Sequence, residues 1–350
     1  MPALSARRLQ AFATEMLVAM GAPGPQATAI ARGLTAANLR GLDSHGVLRL
    51  IQYSQSLASG EVLASPTVTV SRVGPGAAIV DAGGGYGYLP ATRAARLAAG
   101  MAGTGGAAVV GVRNSHHFGM AAQYVERIAA AGKIGIVLSN ASPILATEGM
   151  RRAAVGNNPV AFAFPRRPPR DPIVLDMALS TSAFGRVRLA AAEGREIPLG
   201  WALDEEGRPT TDAARALAAE LLVPVGGYKG FGLALVVDLL AAALTGSPSG
   251  SRAGAHRNPA GGVGHLVVAI APSLFVPEEQ FLDAVEELAA DLAAASAENG
   301  DVAVLPGDPE RRTAEARTAE GVPISSELAA RLVALARELG VEPPEELAAA

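Results

Sequence analysis

The 350-residue chain contains no cysteine and almost no lysine. Without cysteine there are no disulfides, no thiolate nucleophiles and no thiolate metal ligands, a composition that fits a cytoplasmic protein. Only Lys133 and Lys229 among the 29 basic side chains are lysines, so arginine supplies nearly every cation. Each of these lysines is either a chance survivor or a position where the planar fork of arginine does not fit.

The chain also lacks a hydrophobic run that could cross a membrane. Its longest apolar stretch, GFGLALVVDLLAAALTG, contains Asp238 and falls short of the roughly 20 residues required, so we expect a buried helix there. Arginines but no apolar segment follow the initial MPAL, which predicts no signal peptide. The net charge of −4 and the absence of a long basic run argue against nucleic acid as a partner. An acidic metabolite would therefore need a local positive site.

The chain begins and ends with helical patterns that flank an α/β core. We predict helices over residues 5–20 and 25–40, a third beginning at Asp43 or Ser44, and two more near residues 278–297 and 325–339. Between them, helical stretches alternate with the strand-like runs TVTVSRV, AAIVDA, AAVVGVRNS, IGIVLSN, VAFAFP, IVLDMA and HLVVAIAP. This alternation predicts an α/β fold. Residues 246–264 are rich in glycine, serine and proline and are predicted to form a mobile loop.

A Rossmann fold would place a glycine fingerprint between a strand and a helix. The nearest match, GTGGAA from Gly103 to Ala108, instead follows a predicted helix and precedes a predicted strand. This order would not aim a helix N-terminus at a pyrophosphate. No Walker A sequence is present either. A dinucleotide, if one binds, must therefore bind to a fold other than the Rossmann fold.

The stretch GLDSHGVLRL, residues 41–50, combines a serine, a histidine and an arginine. If Ser44 caps the third helix, His45 and Arg49 project from one face near the positive helix end. Arg49 would then bind a substrate carboxylate while His45 exchanges a proton with the neighbouring oxygen. The alternative is a simple helix cap with two solvated side chains.

Two further stretches contain residues that could meet a ligand. His116 and His117 in RNSHHFGMAAQY suggest a metal, but consecutive residues at a strand end point apart and no acidic partner follows at helical spacing. We therefore favour ligand contact through side chains and backbone amides, with a metal-dependent lyase or hydrolase as the alternative. The four glycines around Lys229 in PVGGYKGFGLAL either admit a flat or anionic group or form a plain turn.

Together these stretches resemble the malate/L-lactate dehydrogenase family, which is distinct from the Rossmann lactate dehydrogenases. The similarity runs in the family's order from residue 41 to about 333 through GLDSHGVLR, VRNSHHFGMA, VGNNPVAFAFP, VLDMALST, IPLGWALDEEGRPTTD, VGGYKGFGLALVVDLL, VAVLPGDPERR and GVPISSELAARL. It implies a non-Rossmann NAD(P)-binding mixed-sheet domain, here residues 76–274. A helical substrate and dimerisation domain would be built from both chain ends, residues 1–75 and 275–350.

The resemblance also implies an activity and its residues. Members are NAD(P)-dependent oxidoreductases, usually homodimers whose active sites draw on both subunits, that transfer a hydride between nicotinamide and a small 2-hydroxy or 2-oxo carboxylic acid. His45 corresponds to the proton donor and Ser44 to its relay partner, although some members assign the acid/base role to the position of His117. Arg49 and Asn157 correspond to substrate positions. The implied cofactor positions are His117, Phe118, Gly119, Met120, Ala121, Asn140, Asp176, Met177, Ala178, Lys229, Pro306 and Gly307.

Several departures from the family pattern bear on the substrate. His116 stands where asparagine is common, and Asn157 stands where a threonine precedes the Asn-Pro pair. Arg186 occupies a position where some imine-reducing members have an aspartate, which favours a keto acid over a cyclic imino acid. Reduction of a cyclic imino acid is the alternative function. NAD and NADP are equally open as cofactors.

Overall fold

The structure is a computed structural model that describes residues 2–254, 261–297 and 304–348. Its strands are β1 (Ala3–Leu4), β2 (Thr69–Gly74), β3 (Ala77–Asp81), β4 (Ala107–Ser115), β5 (Ile134–Ser139), β6 (Pro143–Leu145), β7 (Val155–Gly156), β8 (Val160–Phe164), β9 (Ile173–Met177), β10 (Ala202–Leu203), β11 (Pro209–Thr210), β12 (Leu221–Leu222), β13 (Val263–Ile270) and β14 (Val322–Pro323).

The described ranges also contain α-helices. They are α1 (Ala6–Ala19), α2 (Gly24–Leu39), α3 (Arg49–Ala58), α4 (Tyr88–Gly105), α5 (Ala122–Ala129), α6 (Phe184–Ala192), α7 (Ala213–Ala219), α8 (Tyr228–Asp238), α9 (Glu278–Ala297), α10 (Asp308–Glu320), α11 (Ser326–Glu338) and α12 (Glu345–Ala348). A π-helical turn, Leu239–Ala243, continues α8, and a 3-10 turn, Asp43–His45, separates α2 from α3.

A seven-stranded mixed sheet in the order β2-β3-β4-β13-β5-β8-β9 forms the centre of the molecule. All seven strand-like runs of the sequence are strands of this sheet. Only β3 and β4 pair in parallel, and β13 is inserted antiparallel between β4 and β5. This order confirms the predicted α/β mixed sheet and differs from the parallel Rossmann order. The GTGGAA stretch ends α4 and leads into β4, as predicted.

Alternating residues of the sheet face two different hydrophobic cores. On one face, Val137 and Val267 pack with α4 and α5, where α4 presents an alanine stripe that permits close approach. On the other face, Leu138 and Leu266 pack with α8, its π-helical extension and the small sheet of β6, β7 and β10 to β12. A third core lies between α1, α2, α3 and α11, with β1 paired to β14.

The helix termini follow the sequence signals at four of the predicted ends. Ser5 and Ser325 accept hydrogen bonds from Arg8 N and Leu328 N and so cap α1 and α11. Gly21 and Gly41 follow α1 and α2 with φ values of +93° and +78°, which glycine adopts without strain.

Two helix predictions were wrong in part. The third helix begins at Arg49, because the chain first forms the 3-10 turn Asp43–His45, so Ser44 is not its cap. The apolar stretch that begins at residue 230 is helical as predicted but is not fully buried, since Leu235, Val236 and Leu239 are about half exposed in the single chain. Helix α10 was missed because its sequence, DPERRTAEARTAE, has no apolar face and no fully buried residue.

Other expectations concern the loop, the domains and the membrane. Residues 255–260 of the loop predicted to be mobile lie outside the described residues. The division at residues 75 and 275 stays a prediction, although β2 already pairs with β3 on the N-terminal side of residue 75. Within the described ranges, no helix combines the length and apolarity that a membrane crossing requires.

A bidentate ion pair attaches α9 to the segment after β8. Arg166 donates to both carboxylate oxygens of Glu286, at 3.1 and 2.6 Å, and the backbone N–H of Arg167 donates to the same carboxylate at 3.2 Å. Both ionised side chains are 14% exposed. The hydrogen bonds from Arg166, more than any other contact, lower the pKa of Glu286 to about 2. Charged, well-oriented groups of this kind stabilise more than exposed surface pairs.

We therefore expect Glu286→Gln to lower the free energy of unfolding by about 2 kcal/mol at pH 7. The folded-state pKa lies below the ordinary value, so this contribution is complete above about pH 4.5 and is lost as the pH falls toward 2. Urea unfolding between pH 7 and pH 3 measures the difference. Glu287→Gln, at an exposed neighbour, is the control. Equal stability of wild type and Glu286→Gln at pH 7 would contradict this role.

Candidate active site

The turn that carries Ser44 and His45 is held by a buried amide on α2. Asn38 is 1% exposed, donates from Nδ2 to Asp43 Oδ1 at 2.6 Å and accepts from Val47 N at 2.8 Å. Arg317 of α10 donates to the same Asp43 carboxylate at 2.8 Å. A Cβ on Gly46 would lie 2.2 Å from Asn38 Oδ1, so the turn closes only around glycine. The position of His45 therefore depends on contacts from the preceding helix α2 and from α10, which is distant in the chain.

Ser44, His45 and Arg49 lie together, but not through the predicted helix cap. Ser44 Oγ lies 3.1 Å from His45 Nδ1, within hydrogen-bond distance, and its relay role stays a prediction. Arg49 begins α3 and donates from Nε to Ser44 O at 2.7 Å and from Nη1 to Gln52 Oε1 at 2.7 Å. A guanidinium has five N–H donors, so three remain for a ligand. The arginine is held by the turn that carries the histidine.

His117 comes to the same site from the end of β4. Its ring stacks near that of His45, with 5.6 Å between the ring centroids. Its Nδ1 lies 2.6 Å from the hydroxyl of Tyr53, which in turn lies 2.9 Å from the hydroxyl of Tyr88. The backbone N–H of Gly87 donates to His117 O at 3.0 Å and fixes the strand end. Both candidate histidines thus face one site between the helical unit and the sheet.

The electrostatics of this site keep both imidazoles neutral. Desolvation, followed by the charge of Arg49, lowers the pKa of His45 to about 4. Burial, then Arg49 and His45, lowers the pKa of His117 well below its ordinary value. A positive charge beside two desolvated rings disfavours a second positive charge. The site is therefore suited to receive an anion before it receives a proton.

A cavity of about 910 Å³ lies beyond His117 on the side of α5 and α10. Asp176, Pro306 and Gly307, three of the predicted cofactor positions, line it together with Arg40. Asp176 accepts from Ala122 N at 2.7 Å, and burial raises the pKa of its carboxyl to about 6. Residues 117–122 thus connect the histidine site to the cavity.

The features of this cavity fit a dinucleotide. Its volume lies within the range of about 300–1,000 Å³ that is typical of small-molecule sites. Gly307, at φ +94°, is the N-cap residue of α10 and makes no side-chain cap hydrogen bond, and the N-terminal turn of that helix lines the cavity. Such a terminus and the nearby Arg311 favour phosphate oxygens. Asp176 offers carboxylate oxygens at the other wall.

The remaining predicted residues lie in varied surroundings. Phe118 is buried, and its ring stacks between those of Tyr124 and His265. Asn140 is also buried; its amide donates to Pro248 O and accepts from Gly264 N, which ties the 246–264 loop to β5. Lys229 is exposed at the start of α8, and no described carboxylate pairs with it. The backbone carbonyl of Asn157 accepts from Leu179 N next to Ala178. Their ligand roles stay predictions.

The side chains around His116 and His117 do not form a metal site with other described residues. His116 is fully buried. Across the described part of the chain, no three histidine, aspartate or glutamate side chains converge in a way that could hold a metal ion. The sequence contains no cysteine to complete such a set.

Four residues of the site were not found from the sequence. Tyr53 lies four residues after Arg49 on α3, and this helical spacing could have indicated it. Asn38, Arg40 and Tyr88 come from α2 and the start of α4, and only the packing of these helices brings them to the site.

Comparison with known proteins agrees with this architecture. The sequence profile of the malate/L-lactate dehydrogenase family matches residues 4–333. The chain belongs to this family. It is 41% identical over 288 residues to the (2R)-3-sulfolactate dehydrogenase (NADP(+)) of Chromohalobacter salexigens, which covers 81% of this chain and 85% of that protein.

Two solved structures of the family share the fold. The sulfolactate dehydrogenase of Methanocaldococcus jannaschii superposes with a TM-score of 0.89 at 32% identity, over 97% of this chain and 98% of that chain. The delta1-piperideine-2-carboxylate reductase of Pseudomonas syringae gives a TM-score of 0.87 at 31% identity, over 96% and 100%. Both the helical unit and the mixed sheet are therefore features of the malate/L-lactate dehydrogenase family, as the sequence resemblance predicted.

We expect Gly46→Ala to damage this site, because the added Cβ would displace the amide of Asn38 and break its bonds to Asp43 and Val47. The free energy of unfolding should fall by about 1–3 kcal/mol, and kcat/KM should fall with it. Thermal unfolding and steady-state kinetics measure both quantities. Gly100→Ala, at an exposed position of α4 with open space around it, is the matched control. Wild-type stability and activity of Gly46→Ala would contradict the conclusion that the contacts of Asn38 with Asp43 and Val47 hold the turn.

Proposed function

We propose that the protein is an NAD(P)-dependent oxidoreductase that transfers a hydride between nicotinamide and a small 2-hydroxy or 2-oxo carboxylic acid. The observation that carries the proposal is the grouping of Ser44, His45, Arg49 and His117 in one site beside a cavity that fits a dinucleotide. Membership of the malate/L-lactate dehydrogenase family supports the same reaction class. The similarity to the delta1-piperideine-2-carboxylate reductase of Pseudomonas syringae supports the second candidate substrate, a cyclic imino acid.

Arg49 binds the substrate carboxylate in this proposal. Its Nε and Nη1 are oriented by Ser44 O and Gln52, so the guanidinium does not have to be ordered when the ligand arrives. The three remaining N–H donors match the two oxygens of a carboxylate. The atom bonded to that carboxylate would then lie beside the two histidines.

His45 gives or takes the proton at the substrate oxygen. Its low pKa in the free protein makes it a neutral base that is ready for the oxidation of an alcohol. A bound carboxylate neutralises part of the field of Arg49, so the pKa of His45 rises when substrate is present. The same residue can then act as the acid in the reverse direction. Ser44 holds Nδ1 and fixes the ring orientation.

The cofactor site follows from the cavity. Asp176, Pro306, Gly307 and the start of α10 would hold the dinucleotide, and residues 117–121 would adjoin its nicotinamide end. When bound, the cofactor supplies a hydride acceptor or donor at the nicotinamide C4. The described residues do not distinguish NAD from NADP, so both are included.

We expect the purified protein to oxidise NADH or NADPH with a 2-oxo acid from a panel that also contains a cyclic imino acid.

His45→Gln should lower kcat by about 10²–10⁴-fold and leave cofactor binding unchanged. Arg49→Lys should raise KM by about tenfold or more, because lysine cannot form the planar two-point contact. Arg72→Lys, at an exposed strand position, is the control. Absence of cofactor binding, or full activity of His45→Gln, would contradict the proposal.

A second test follows the titration of His45 itself. By NMR, its ring should titrate near pH 4 in the free protein and at higher pH when oxamate, an unreactive analogue of a 2-oxo acid, is bound. Removal of the positive charge in Arg49→Gln should raise the pKa of His45 without ligand and abolish the response to oxamate. A titration that oxamate does not move in the wild type would contradict the coupling between Arg49 and His45.

We further propose that the protein is a cytoplasmic homodimer. Tyr228, Leu235, Val236 and Leu239 share one face of α8 and its extension, and they are 45–78% exposed in the single chain. A contiguous apolar stripe of this kind is typical of an interface. Lys229, at the start of the same helix, would then lie at the subunit boundary, as expected if active sites draw on both subunits. The lack of cysteine supports a reducing compartment.

We expect sedimentation velocity to report a dimer of the wild-type protein and a monomer of Leu239→Glu, because a charge at the centre of the stripe would have to be desolvated on association. Leu288→Glu introduces the same charge at an exposed leucine of α9 and should remain dimeric. A monomeric wild type would contradict the dimer, and a dimeric Leu239→Glu would exclude this face.

A further inference from the structure

Two buried tyrosines form a hydrogen-bonded chain that ends on His117. Building on the function proposed above, we propose that Tyr53 and Tyr88 are positioning residues that hold His117 as the neutral tautomer protonated on Nε2. His117 then serves as a hydrogen-bond donor to the ligand, and His45 alone carries out the proton transfer. The family resemblance favoured His45 for the acid/base role and left His117 as the alternative.

The direction of the chain follows from counting its hydrogens. The Tyr53 hydroxyl lies between Tyr88 Oη at 2.9 Å and His117 Nδ1 at 2.6 Å, and it has one hydrogen to donate. If Tyr88 donates to Tyr53 and Tyr53 donates to Nδ1, every O–H has an acceptor. In the reverse direction, the hydrogen of Tyr88 would need a second acceptor.

No described residue offers Tyr88 that second acceptor. Its only hydrogen-bond partner within the described ranges is Tyr53, and its side chain is 1% exposed, so bulk water does not replace the missing group. A buried hydroxyl without an acceptor is costly. The chain therefore runs from Tyr88 through Tyr53 to an unprotonated Nδ1, which leaves the proton of the neutral ring on Nε2.

The first tyrosine of the chain is fixed by close packing. A Cβ on Gly33 of α2 would lie 2.5 Å from the Tyr88 ring, and a Cβ on Gly119 would lie 2.6 Å from it. Only glycine at both positions leaves room for this ring. Tyr53 is equally buried and packs against Tyr86, with 4.0 Å between the ring centroids. The hydroxyl that contacts His117 thus has little freedom to move.

The charges around His117 agree with a neutral donor. Arg49 lies on α3, His45 on the preceding turn and His265 on β13, and each of them opposes protonation of the ring. The tyrosines cannot assist as anions, because burial raises the pKa of both Tyr53 and Tyr88 above the ordinary value. His117 therefore keeps one ring proton, whereas His45 is hydrogen-bonded to the exposed Ser44.

The side-chain ¹⁵N shifts of the histidines test the tautomer in the ligand-free protein, with His117 assigned by loss of its signals in His117→Gln. Wild type should show Nε2 protonated and Nδ1 unprotonated. Tyr53→Phe and Tyr88→Phe should shift His117 toward a mixture of tautomers. Tyr86→Phe, a neighbour whose hydroxyl is outside the chain, should leave the shifts unchanged. A protonated Nδ1 in the wild type, or unchanged shifts in Tyr53→Phe, would overturn the proposal.

Kinetics provide a second readout. Tyr53→Phe should lower kcat by about tenfold with little change in the KM of the carboxylate substrate. Its pH profile should keep the limb caused by titration of His45, that is, the pH range over which protonation of His45 changes the rate. His45→Gln should lack this limb. His117→Gln should also keep that limb, because glutamine can still donate a hydrogen bond. Loss of the limb in His117→Gln would overturn the assignment to His45. Failure of the dehydrogenase function itself would appear as a wild type without turnover, and the NMR result does not depend on turnover.

Discussion

The structure depends on the insertion of β13 between β4 and β5. Buried at this junction, His265 lies within hydrogen-bond distance of Ser115 at the end of β4 and of Ser139 at the end of β5, and its ring stacks on Phe118 at 4.2 Å. The point where β4 stops is thereby set by a strand about 150 residues later in the chain. His117 follows directly, so the position of a candidate catalytic residue is decided at the centre of the sheet.

The helical unit contributes the opposite half of the site and its charge. Arg49 lowers the proton affinity of both histidines before an anion binds. In the proposed function, a substrate carboxylate that pairs with Arg49 would remove this effect, and substrate binding would then be coupled to the proton affinity of the histidines through one charge. Asn38 and Arg317 hold the turn around Asp43, and this turn keeps His45 close to Arg49. In this proposal, specificity for acids and readiness for proton transfer would arise from the same few contacts.

Local signals predicted much of the fold and part of the site. Strand periodicity identified all seven strands of the main sheet, and serine caps and glycine stops located the ends of α1, α2 and α11. The start of α3 was predicted wrongly, because a serine followed by a helical pattern is compatible with either a helix cap or a 3-10 turn. The hydrogen bond from Val47 N to the side chain of Asn38 favours the turn. Helix α10 was not predicted, because its sequence has no apolar residues at helical spacing and none of its residues is fully buried.

By itself, the sequence determined the strands of the main sheet, most of the helices and the neighbouring positions of Ser44, His45 and Arg49, because these depend on residues a few positions apart. The order of strands, the meeting of His45 with His117 and the tyrosine chain from Tyr88 were decided only by the tertiary structure. These features join residues that are 35 to 150 positions apart. Such contacts form only when several hydrophobic cores pack together, so they cannot be predicted from a local sequence pattern.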